Sequence, residues 1–82
     1  MMILKYSQRF LRSYAEAPAT IQQAFDKQAA LLAQNPRHPS LRCKKYDESK
    51  NIWQARVNRN WRFYFQIEDS FYILLDIIPH PK

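Results

Sequence analysis

Two arginines set the chemistry that this sequence could perform. In the stretch Trp53-Gln54-Ala55-Arg56-Val57-Asn58-Arg59-Asn60-Trp61-Arg62-Phe63-Tyr64, apolar and polar residues alternate on either side of a short polar connector. Alternation of this kind marks antiparallel strands with one dry and one wet face. If Val57 lies opposite Trp61, Arg56 lies opposite Arg62 on the wet face. Like charges directly across a strand pair are destabilising, so an anion or an acidic side chain belongs between them. Arg42, Lys44, Tyr46 and Tyr64 fall on the same open face, with Lys45 at its rim and Arg59 in the connector. Asp76 and His80, late in the chain, fall close to it. Cations interleaved with aromatic rings are what single-stranded RNA binding uses, the cations for phosphates and the rings for unstacked bases. The competing reading is a solvated ion network in which Glu68, Asp76 or a helix carboxylate neutralises the arginines.

The remaining reactive side chains read more plainly. His38, between Pro36 and Pro39, is a structural loop residue, and Cys43 fills core as a small hydrophobe. The two histidines and one cysteine are too dispersed for a zinc site. Trp53 and Trp61 lie on the dry parity and pack in the core. The 82 residues contain no glycine, which rules out phosphate loops and dinucleotide fingerprints. No cofactor or metal is expected. Thirteen Lys/Arg against seven Asp/Glu give a net charge of +6, a surplus that favours a polyanion or an acidic partner. No apolar run reaches the ~20 residues of a membrane helix, and the N-terminal residues do not read as a secretory signal. A lone cysteine excludes an internal disulfide and suits a reducing cytoplasm.

The elements that position these groups are legible from periodicity. Residues 2–6 read as a strand. Ser7 caps a helix bearing Phe10, Leu11 and Tyr14, and Pro18 opens a second helix with a stripe of Ile21, Phe25, Ala29 and Leu32. Gln22, Gln23, Asp26, Lys27 and Gln34 form its wet side. Asn35-Pro36 ends it, with Asn35 as a left-handed cap. From Leu41 the period becomes two, giving strands at 42–47, 52–58, 61–68 and 71–78 joined by short hairpin connectors. Asn and Asp supply positive φ where glycine is missing. Phe71, Ile73, Leu75 and Ile77 are expected inward, with Tyr72, Leu74 and Asp76 outward, and Pro79 and Pro81 stop further pairing. The plan is α+β: one domain over 1–82, β-α-α-β-β-β-β, an antiparallel sheet with an antiparallel helix pair on one face.

Leu31-Leu32-Ala33-Gln34-Asn35-Pro36, His38-Pro39-Ser40-Leu41-Arg42, Lys44-Lys45 and the segment Ile52 to Phe63 together resemble the RelE/ParE superfamily of bacterial toxins over essentially the whole chain. The resemblance implies the toxin of a type II toxin–antitoxin pair. RelE-like members cut mRNA in the ribosomal A site, and ParE-like members poison DNA gyrase. For a ribosome-dependent endoribonuclease it implies Arg56 and Arg62 on the phosphate, Lys44 adding charge and His80 as acid or base. Arg42, Lys45, Tyr46, Arg59 and Tyr64 would contact RNA. Several relatives carry an arginine late in the last strand where this chain has Asp76, a candidate for orienting Arg62. The partners implied are mRNA, the ribosome and an antitoxin covering the open face, with a monomeric free toxin. A gyrase inhibitor, or a member that only binds antitoxin, is the alternative.

Overall fold

The computed structural model describes residues 3–80. Strand β1 (Ile3–Tyr6) leads into helices α1 (Gln8–Glu16) and α2 (Ala19–Gln34). A single 3₁₀ turn (Pro39–Leu41) follows, then β2 (Lys44–Asp47), β3 (Ile52–Arg56), β4 (Trp61–Glu68) and β5 (Phe71–Pro79). The five strands form one sheet in the order β1-β5-β4-β3-β2. The α+β plan and its element order are those read from the sequence. The sheet is mixed rather than wholly antiparallel, because β1 crosses over to lie parallel to β5, with Ile3 beside Phe71 and Tyr6 beside Leu74. Met2 and Pro81 lie outside the described residues.

Local chemistry fixes each boundary. Ser7 Oγ accepts from the Phe10 amide, satisfying one of the free donors that open α1. The same hydroxyl donates to the Leu75 carbonyl, and the Ser7 amide donates to Leu74, so the cap also ties α1 to β5. Pro18 sits just before α2, and its carbonyl accepts from Ile21 and Gln22. The α2 terminus departs from expectation. Asn35 has φ −150°, not a left-handed value; its amide donates to the Leu31 carbonyl, and its Oδ1 accepts from the Arg37 amide in an Asx turn that leads the chain off the helix. Positive φ falls at Arg42, Asn51 and Asp69, the latter two in hairpin turns that a glycine would otherwise serve.

The core lies between the helices and one sheet face. Phe25 of α2 meets Phe10 of α1 at 5.0 Å and the edge of Phe63 of β4 at 5.1 Å. Leu32, Leu41, Ala55, Val57, Phe65, Leu74 and Ile77 complete it, with Trp53 and Trp61 half-buried against its margin. The inward set of β5 corrects the simple alternation. Tyr72 and Leu74 face the core, then the β4–β5 register slips between Tyr64 and Phe65, and Ile77 faces inward again. One unpaired residue flips every later side chain to the opposite face. Ile67, expected inward, is 36% exposed. Phe63→Ala is therefore expected to cost about 3–5 kcal/mol and Ile67→Ala under about 1 kcal/mol, read from urea denaturation midpoints.

Candidate functional site

The β3–β4 register places Arg56 directly opposite Arg62. Between them the chain turns at residues 57–60, where Asn58 Oδ1 accepts from the Asn60 and Trp61 amides and holds the connector closed. Arg62 is only 9% exposed. Its Nη1 donates to the carbonyls of Asn58 at 2.8 Å and Trp61 at 3.0 Å, with a longer contact to Arg59 at 3.4 Å. Backbone oxygens thus fix the orientation of the guanidinium without cancelling its charge. Arg56 Nε is buried with no partner. Burial first, then repulsion from Arg42, Arg62 and Arg59, pushes the Arg56 pKa down.

Arg42, Lys44, Gln54, Arg56, Arg62 and His80 line one cavity of about 300 Å³. His80 reaches it because its amide donates to the Asn60 carbonyl at 2.6 Å, pinning the residue after β5 to the hairpin turn. Lys44 reaches it because it pairs with Gln54, on the parity of Arg56. No carboxylate among the described residues lines the cavity. Among the described residues, the ion pair present is Arg9–Asp76, at 3.2 Å. The ion network that the sequence offered as an alternative does not form around the facing arginines among the described residues. Four cations thus gather around a small hollow, Arg62 held by backbone carbonyls and Arg42 and Lys44 exposed, a charge arrangement suited to an anion.

Other candidates lie elsewhere. Asp76 does not orient Arg62; its carboxylate accepts from Arg9 Nε and from the Ile77 amide. Lys45 faces away from the basin, since it pairs with Trp53, sits 4.6 Å over that ring and donates to Asn51 Oδ1. Tyr46 and Tyr64 meet edge to face at 4.9 Å, beside a groove of about 510 Å³ that also includes Ile52, Asp76 and Ile78. Tyr64 is 8% exposed. Burial, then Tyr46, raises its pKa, so it stands as a neutral phenol. Arg59 is exposed on the turn. His38 caps the 3₁₀ turn, its Nδ1 accepting from the Ser40 amide.

Two contributors escaped the sequence reading. Gln54 stands on the basin wall, a role that its parity signalled. Gln28 is a buried glutamine on the inner side of α2, and nothing in the helical pattern distinguished it. Its Nε2 donates to the Ser40 and Arg56 carbonyls at 3.1 and 2.9 Å.

No family model matches the chain, and no curated protein matches it by sequence. Solved structures do. The chain is similar to the toxin fold of the intact RelBE toxin–antitoxin complex from E. coli, at TM-score 0.76 and 12% identity over 100% of both chains. It is also similar to the YoeB dimer of Staphylococcus aureus, at TM-score 0.79 and 10% identity, covering 98% of each chain. YafQ from E. coli aligns at TM-score 0.76 and 17% identity over 94% of this chain and 91% of that one. The architecture is therefore that of the RelE, YoeB and YafQ toxins, as the sequence resemblance implied. No helix among the described residues is long and apolar enough to cross a membrane.

Two measurements probe this geometry. Arg56→Gln removes one of the opposed charges and is expected to stabilise the free protein by about 0.2–1 kcal/mol in low-salt buffer; a loss of stability in urea titrations contradicts the repulsion. Burial pushes the Cys43 thiol up to about 11. Its alkylation by iodoacetamide at neutral pH should lag a free thiol by about a hundredfold or more, the thiolate being the nucleophile, and should accelerate as pH rises towards that value.

Proposed function

We propose that this chain is the toxin of a type II toxin–antitoxin pair and acts in the cytoplasm as a ribosome-dependent mRNA endoribonuclease. The observation that carries the reading is the basin in which Arg56 and Arg62 converge with Arg42, Lys44 and His80, with no carboxylate among its described lining residues. The RelE-like fold supports it. A phosphodiester placed there meets cations on several sides. The ribose 2′-OH gives up its proton to a base and O2′ bonds to the adjacent phosphorus. The P–O5′ bond then breaks, and O5′ takes a proton, leaving a 2′,3′-cyclic phosphate. Arg56 and Arg62 hold the non-bridging oxygens as charge develops, and Lys44 and Arg42 add field. His80 moves a proton at one of the two ends. Tyr64 and Tyr46 offer ring faces to the flanking bases.

The partner proposed beside mRNA and the ribosome is an antitoxin that covers the open face. Solved neighbours include toxin–antitoxin complexes from E. coli and Pyrococcus horikoshii. An acidic or apolar segment laid over the basin would neutralise its charge and exclude RNA together.

Transcript mapping after induction tests the activity. Codon-phased cuts are expected, falling about 10²–10³-fold for Arg62→Ala and about 10²–10⁴-fold for His80→Ala. Undiminished cutting by both variants removes the assignments. A DNA-damage response without cuts transfers the chain to gyrase inhibition.

A further inference from the structure

The basin is not the only cationic hollow on the molecule. A second cleft, of about 560 Å³, opens between α2 and the β3–β4 turn and shares two wall residues with the basin, Arg42 and Arg56. Lys27 of α2 and Arg59 of the turn supply its other charges, and Gln28 and Ser40 are among the polar groups lining it. Among the described residues, no carboxylate lines it either. Asp26, the sequence neighbour of Lys27, is instead engaged by the Tyr14 hydroxyl at 2.9 Å.

The wall between the hollows is built, not incidental. Gln28, 7% exposed, links α2 to the 3₁₀ turn through the Ser40 carbonyl and to β3 through the Arg56 carbonyl. That pair of bonds fixes where Arg56 stands between the two spaces, and its Nε is buried there without a partner. Arg42, just past the 3₁₀ turn, holds a left-handed backbone at φ 47°, ψ 45°. That region disfavours a residue with a Cβ, and such residues cluster at functional sites. One phosphate in the basin compensates only one side of this wall. Among the described residues, Lys27 and Arg59 make no ion pair, and that phosphate lies on the other side of the wall.

We infer that the second cleft binds a further phosphate of the same single-stranded RNA, so that the strand passes from the basin across Arg42 and Arg56 to Lys27 and Arg59. The inference rests on the nuclease reading for its first phosphate and adds to it a path, a direction off the sheet and a residue, Lys27, outside the reacting centre. Because the strand is held through its backbone, the cleft adds affinity without base preference.

The test compares two non-cleavable probes on the full chain by fluorescence anisotropy across a salt titration. One is a 2′-O-methyl oligonucleotide of about eight nucleotides, within the range of single-strand sites; the other is a 2′-O-methyl dinucleotide with a single phosphate. Lys27→Gln should weaken the longer probe severalfold and reduce its log–log salt slope by ~0.7, as expected for one lost phosphate contact. It should leave the dinucleotide unchanged. Lys27→Arg should restore both affinity and slope. An unchanged slope for the longer probe in Lys27→Gln overturns the inference, as does equal weakening of both probes. So does retained RNA binding with loss of an acidic protein partner, which would assign the cleft to protein recognition. Arg62→Ala reports separately on the basin: if it affects neither probe while Lys27→Gln still weakens the longer one, the nuclease reading falls and the second cleft stands.

Discussion

Two guanidinium groups held face to face across a hairpin repel one another, and the surrounding structure must keep them there at its own expense. Arg62 is immobilised by carbonyls of the turn that it follows, so its position is set by backbone geometry and survives the absence of any counter-ion. Arg56 is set from behind, through the bond between its carbonyl and the Gln28 side chain. Neither device involves a carboxylate. A charged partner would lower the cost of the pair in the free protein and would then compete with any anion arriving from outside. Neutral oxygens restrain the cations and leave the field intact.

The remaining architecture follows from that arrangement. β3 and β4 lie in the interior of the sheet and carry the arginines at one end, where the tight Asn58-closed turn brings their side chains together. The aromatic core of Phe10, Phe25, Phe63 and Phe65 sits on the reverse face, so the strands are stiffened without crowding the open side. β2 adds Lys44, and the residue after β5 adds His80, each from an element bonded to the central hairpin. Asp76 stands outside the basin, paired with Arg9, a residue on α1 far from it in sequence.

How much of this the sequence disclosed depends on the range of the interaction. The Arg56–Arg62 opposition follows from strict alternation and a short connector, both local, and the structure has that register. The two helices follow from apolar spacing and the Ser7 cap. The facing of Tyr72 and Leu74 did not, because a register slip leaves no compositional trace when nearly every residue of β5 is apolar. The parallel pairing of β1, the Arg9–Asp76 contact and the role of Gln28 join segments distant in sequence, where periodicity carries no information. Lys45 reads as a rim cation of the open face beside Lys44, yet it pairs with Trp53 and lies over that ring on the other face.

The placement of β1 also governs when the molecule comes together. Its one neighbour in the sheet is β5, and the Ser7 bond that anchors the first helix reaches a carbonyl 68 residues further on. Such long loop closures slow folding relative to local hairpins. During synthesis β1 lacks its sheet neighbour until β5 has left the exit tunnel, and His80 emerges later still. A nascent chain therefore lacks an assembled basin until both β5 and His80 have emerged.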